Sequence, residues 1–233
     1  MEVDIYGGQE PRRLALYNYT DAAHYLDMPV STVRAWAVGG SYTSGKEKKR
    51  FPPVLSSSST PRPIKGLSFL DLTELYVLKA LRRDRKVSLE KIRSAIKYAK
   101  DKLGIDNLLL TDILTHGSDM FIEYYGDYVS VSRSGQVALE AVLKQYLRRV
   151  RWDNELTPVT LHPLVDGFGE DTPVSINPRV SFGKPTVSGT GTNTAIVALR
   201  HEVGETIEEI ADDYSIDPQL IRGAIAYEYR VAA

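Results

Sequence analysis

The chain has 233 residues, 42% of them hydrophobic, and a net charge of −1, which suits one large or two small domains with a sizeable core. It contains no cysteine, which excludes disulfides, thiolate nucleophiles and thiolate metal sites. No apolar run approaches the roughly 20 residues that span a bilayer, and the start MEVDIYGGQE has neither a basic stretch nor an apolar signal core, so a cytoplasmic location without membrane contact is expected.

The average charge hides a division. Residues 1–110 carry 19 Lys+Arg and 12 Asp+Glu, a balance of +7, whereas residues 111–233 carry 10 and 18, a balance of −8. A basic module for an anionic partner joined to an acidic module for a different or basic partner is the organisation this implies.

Residues 19–38, YTDAAHYLDMPVSTVRAWAV, read as two short helices joined by a tight turn at Asp27-Met28-Pro29. Thr20 is placed to cap the first helix and Ser31 the second. Val33, Trp36 and Ala37 recur at helical spacing and turn inward, which leaves Ser31, Thr32, Arg34 and Ala35 outward. In a helix-turn-helix the start of the second helix meets base edges in the major groove, so Ser31, Thr32 and Arg34 are candidate DNA contacts. Gly39-Gly40 ends that helix, and Lys46, Lys48, Lys49 and Arg50 precede Phe51-Pro52-Pro53. This pattern predicts a basic β-hairpin wing against the phosphate backbone. The Ser-rich run 56–59 and Thr60-Pro61-Arg62-Pro63 read as a loop.

Ser68 opens a helix whose broad apolar face runs through Leu81, and Arg82, Arg83, Arg85 and Lys86 follow it. A further helix begins at Ser88, with Lys91, Arg93, Lys97 and Lys100 on or near its exposed side. Residues 119–131 read as a hairpin around Gly126-Asp127, and residues 137–151 as another helix. Short strands at 158–166 and 174–176 flank the loop 167–173, which is the expected domain boundary.

The segment from Asn177 to Thr194 is dense in Pro and Gly, so two extended pieces with tight turns are expected. Its SGTGT run, residues 188–192, lacks the Gly-Lys-Ser/Thr of a phosphate loop and reads as a turn. A helix over 194–202 follows. Thr206 and Glu209 form a capping box, and Asp217-Pro218 opens a last helix bearing Leu220, Ile221, Ala224 and Tyr227. This is a second helix-turn-helix outline, but Glu205, Glu208, Glu209, Asp212 and Asp213 oppose docking on phosphates, so a protein interface is expected there. The four histidines are scattered without metal-ligand spacing, and no nucleophile elbow or buried acidic pair is readable. A binding protein without cofactor, metal or catalytic residues is therefore expected, and an enzyme is not.

YTDAAHYLDMPVSTVRAW with its basic turn resembles the MerR-like winged helix-turn-helix. NPRVSFGKPTVSGTGTNT…GETIEEIADDYSIDPQLIRGAIAYEY resembles a small domain common in type II antitoxins, with Gly191 standing where many relatives carry an arginine. The combination resembles Vap-type antitoxins. The fold this implies is mainly α with small β-hairpins: a winged helix-turn-helix domain with its following helices over 1–110, a connecting hairpin and helix over 111–166, and a small helical helix-turn-helix-like domain over 174–233. The resemblance further implies a repressor of its own operon that binds operator DNA and inhibits a PIN-domain ribonuclease toxin by direct contact. Arg222 or Arg230 is then the candidate cation for the toxin's acidic cleft. A homodimer is expected, since one small helix-turn-helix seldom supplies enough affinity and paired half-sites supply the rest. Two alternatives stand beside this: a MerR-like regulator with a ligand or dimerisation module and no toxin, and a nucleotide-handling enzyme built on the SGTGT turn.

Overall fold

The computed structural model describes residues 6–45, 47–55, 66–83, 89, 146–155 and 157–230. Within them six α-helices and three two-stranded antiparallel sheets occur. Helices α1 (Tyr19–Leu26) and α2 (Val30–Val38) are followed by strands β1 (Gly40–Ser44) and β2 (Glu47–Phe51) and by helix α3 (Phe69–Arg83). Strands β3 (Val150–Trp152), β4 (Pro158–Leu161), β5 (Val174–Ser175) and β6 (Thr186–Val187) lead to helices α4 (Thr194–Glu202), α5 (Ile207–Tyr214) and α6 (Pro218–Glu228). The mainly helical class with small hairpins is as the sequence predicts. The expected 110 boundary, the 56–63 loop, the helix from Ser88 and the hairpin at 119–131 lie outside the described residues, as does most of the helix expected over 137–151.

Helix α3 is the central element of the first core. Leu72, Leu75, Val77, Leu78 and Ala80 have no exposure, and a helix apolar on most of its surface has to be enclosed. Ser68 caps it as expected: its hydroxyl accepts from the Asp71 N–H at 3.2 Å, and the Asp71 carboxylate accepts from the Ser68 N–H at 2.7 Å. The same core includes Ala22, Leu26, Val33 and Trp36 of the first two helices, and also Tyr146, Val150, Leu161 and Ile176. Residues well past the middle of the chain thus pack with its N-terminal part.

Three local expectations are corrected. Helix α1 begins at Tyr19, and its cap is Asn18, whose side-chain oxygen accepts from the Asp21 N–H at 2.8 Å; Thr20 falls inside the first turn. Helix α2 begins at Val30 behind Pro29, with no side-chain cap, so Ser31 is a first-turn residue. The stretch expected to stay helical to residue 151 turns at Arg148-Arg149 and becomes strand β3. There Val150 and Arg151 pair with Leu161 and Thr160, a partner no local periodicity reveals.

The C-terminal elements follow the sequence closely. Asn193 caps α4, the Thr206/Glu209 capping box opens α5, and Asp217 with Pro218 opens α6. Val187, Val197, Ile210, Ile221 and Ala224 form a second core between these helices. Gly223 lets α6 approach the 167–173 loop, because a Cβ there would collide with the Pro173 ring. The SGTGT run is a turn closed on itself: the Thr190 N–H and hydroxyl both donate to the Val187 carbonyl, at 3.0 and 2.9 Å.

His162 is buried, its Nδ1 donating to the Val174 carbonyl at 3.1 Å. Desolvation holds its imidazole below the ordinary range, the Val174 carbonyl opposes this, and Arg151 and Arg149 add to it. Below pH about 6.5 the unfolded chain takes up a proton that the folded chain refuses, so stability present at neutral pH is lost on acidification. Unfolding midpoints measured from pH 7 to 5 should fall, and His162→Gln should flatten the fall.

Candidate nucleic-acid interface

Helix α1 leaves the helical path at Asp27, which adopts the left-handed conformation (φ 50°, ψ 63°). The Met28 N–H then reaches back to the Ala23 carbonyl at 2.9 Å and buries Met28. Pro29, with φ fixed near its observed −61°, starts α2 directly. Residues 27–29 are therefore the turn of a helix-turn-helix whose inner face is Ala22, Ala23, Leu26, Val33, Trp36 and Ala37.

The outer face of α2 carries the predicted contacts unevenly. Ser31 and Arg34 are exposed, whereas Thr32 and Ala35 are half-buried. The Arg34 guanidinium sits 5.7 Å from the centre of the Tyr19 ring, a cation–π distance that holds the side chain over α1. Nothing in the local pattern announces Tyr19 in this role, since the two residues lie on different helices. No side chain caps α2, and the Pro29 carbonyl serves its first turn, accepting from the Thr32 and Val33 N–H groups at 2.9 and 3.1 Å.

Strands β1 and β2 form the expected hairpin, in register Ser41↔Arg50, Tyr42↔Lys49 and Thr43↔Lys48. Alternation along a strand therefore sorts the basic run. Lys48 and Arg50 share a face with Ser41 and Thr43, while Lys49 shares the other with Tyr42 and Phe51. All three cations are exposed; Lys46 lies outside the described residues.

The hairpin is rooted on α2 at both ends. Gly39 (φ 75°) makes the bend, and a Cβ on it would stand 2.5 Å from the Phe51 carbonyl oxygen. On the return, the Val54 and Leu55 N–H groups both donate to the Trp36 carbonyl, at 2.7 and 3.2 Å, and both side chains are buried. A Tyr17–Leu67 backbone pair, at 3.0 and 2.7 Å, closes the unit.

The two C-terminal arginines have different surroundings. Arg222 is exposed on α6. Arg230 donates from Nε to the Tyr227 carbonyl at 2.7 Å and from its terminal nitrogens to Leu164 at 3.1 Å, with longer contacts to the His24 and Tyr25 carbonyls. The Tyr227 hydroxyl also donates to Tyr25, at 3.0 Å, and Glu228 meets His24 at 2.7 Å. Among the described residues no group of three or more His, Asp or Glu is arranged to hold a metal, and no helix is long and apolar enough to cross a membrane.

Comparison with known proteins places these features. Residues 15–96 match a family described as "Putative DNA-binding HTH domain", and residues 174–227 match one described as "Protein of unknown function (DUF433)". The N-terminal part is thus a helix-turn-helix-type domain. Among individual proteins, the chain is similar to a Mycobacterium tuberculosis protein named "Putative antitoxin VapB45", with 28% identity over 90% of this chain and 92% of that one. It is 27% identical to the uncharacterized protein Rv2308 of the same organism, over 93% of this chain and 92% of that one. The crystal structure of Rv2018 from M. tuberculosis superposes with a TM-score of 0.67 at 26% identity, covering 91% of this chain and 98% of that one.

Gly39→Ala should destabilise the helix–hairpin junction by about 1–3 kcal/mol, since it combines an unfavourable backbone with a clash against main chain. Chemical denaturation checks this, and an unchanged midpoint would count against the junction.

Proposed function

We propose that this protein is a DNA-binding antitoxin of a type II toxin–antitoxin system. The observation that carries the DNA half is the exposed start of α2, with Ser31 and Arg34, beside a cationic hairpin fixed to the same helix. In this reading the arrangement is a MerR-like winged helix-turn-helix. Arg34, Ser31 and Thr32 read base edges, and the Ser41, Thr43, Lys48, Arg50 face of the hairpin, with Lys49 and Lys46 nearby in sequence, meets phosphates. A homodimer supplies two half-sites on the operator, and binding there represses the protein's own operon.

The antitoxin half is supported by the name of the relative that aligns along nine-tenths of this chain. The partner on this reading is a PIN-domain ribonuclease, inhibited by direct contact in the cytoplasm. Arg222, exposed on α6, is the candidate cation for the toxin's acidic cleft on this reading; Arg230 is engaged with backbone carbonyls of its own chain.

Binding of the full chain to DNA from upstream of its own gene and to scrambled DNA, at several salt concentrations, tests the DNA half. Arg34→Ala should cost about 1–3 kcal/mol at one base step and relax specificity there. Lys48→Ala should weaken both DNAs alike and reduce the salt slope by about 1. If both variants bind both DNAs like the parent, the interface is elsewhere.

A further inference from the structure

Helix α4 turns an apolar stripe to solvent. Ile196, Leu199 and Val203 follow at i, i+3 and i+7 along its outer side, and they are 51, 58 and 73% exposed. At the N-terminal end of the stripe Ile196, Phe182 and Tyr214 line an open groove of about 540 Å³, so the apolar surface continues beyond the helix. Phe182 is 61% exposed and is presented by three consecutive left-handed residues, Ser181 (φ 47°), Phe182 (φ 56°) and Gly183 (φ 78°). Bulky residues avoid that conformation. Here it sends an aromatic ring outward from the second core, with one edge against the Tyr6 ring at 6.2 Å between centres and more than half of the residue open to solvent.

Lys184 lines the groove at the Phe182 end, and along α4 and α5 the charge is acidic. Residues 194–217 contain seven Asp and Glu and one Arg, a balance of −6. The single Arg200 is already held, bonded to Glu205 and, at 2.5 Å, to Asp213, with its guanidinium 5.1 Å from the Tyr214 ring centre. Glu202, Glu208, Glu209 and Asp212 are exposed.

We propose that the outer face of α4, with Phe182 at its end, is the docking surface for a cationic protein, which lays apolar side chains along Leu199 and Val203 and surrounds them with Lys and Arg. Exposed apolar patches with polar rims mark interaction sites, and an interface pairs an apolar, aromatic centre with a rim of complementary charge. The charge selects the occupant. A second copy of this chain would set −6 against −6, and nucleic acid or an anionic membrane would be repelled in the same way. The proposal rests on the antitoxin reading only for the partner's identity: a ribonuclease grips polyanionic RNA and therefore carries a cationic surface, which such docking would cover.

The test uses the full chain with a photoreactive phenylalanine analogue in place of Leu199, cross-linked in the native host. The captured protein is then identified, purified and titrated against the parent, Leu199→Asp and the pair Glu208→Lys/Asp212→Lys, with melting curves and DNA binding as controls on folding. The expected partner has an isoelectric point above about 9, binds more weakly as salt rises, and loses at least about tenfold in affinity to each variant. The charge-reversed pair keeps the apolar stripe, so it remains informative should Leu199→Asp fail to fold. Cross-linking only to a second copy, cross-linking to nothing, a captured protein of acidic or neutral charge, or affinities unmoved by the variants would overturn the proposal. A basic, variant-sensitive partner that does not cleave RNA leaves the docking surface standing and removes the antitoxin reading. A ribonuclease inhibited equally by parent and variants does the reverse.

Discussion

The last carbonyls of α1 need partners, and this need ties the molecule together. An eight-residue helix is too short to persist alone, and its final carbonyls have no donors within the helix. The turn supplies the Met28 and Asp27 N–H groups to Ala23 and His24, and further donors come from two distant places. The Lys79 ammonium of α3 takes the Leu26 and Asp27 carbonyls, at 2.7 and 2.8 Å. The Tyr227 hydroxyl of α6 and the Arg230 guanidinium just beyond that helix reach Tyr25 and His24. Two cations at the negative end of a helix dipole are each favourable by about 0.3–1 kcal/mol. Their larger effect is positional: the helix that holds α2 in place is fixed to the central core on one side and to the C-terminal unit on the other.

From that anchor the division of charge becomes a division of surfaces. The side facing away from the α1–α2 core presents Arg34 and the hairpin cations, while α4 and α5 present carboxylates around apolar residues. The contact between the two parts is made by neutral or paired groups, since Arg230 meets carbonyls and Glu228 meets His24 and the Thr194 hydroxyl. Each charged face therefore stays turned toward solvent or a partner. The hairpin repeats the arrangement on a smaller scale, with a hydroxyl-and-cation face backed by Tyr42 and Phe51.

Legibility in the sequence followed the range of the interaction. The capping box at Thr206 and Glu209, the Asp217-Pro218 start and the inward face of Val33, Trp36 and Ala37 are set by neighbours within four residues, and each was readable. Asn18 and Pro29 displaced Thr20 and Ser31 as helix starts because several polar residues stand within one turn and only backbone geometry chooses among them. Arg230 looks like a spare terminal cation in the sequence, since apart from the Tyr227 carbonyl its acceptors lie 66 and about 200 residues away. Strand β3 was hidden for the same reason. The outward ring of Phe182 depends on a left-handed backbone at a serine and a phenylalanine, which composition does not signal.

The central claim is that α2 and its hairpin dock on DNA, and hydroxyl-radical footprinting of the full chain on the DNA upstream of its own gene tests it most directly. The account predicts protection of backbone sugars in two clusters whose centres lie about 10 base pairs or a multiple apart. Cleavage that stays uniform along the fragment, at protein concentrations well into the micromolar range, would contradict it.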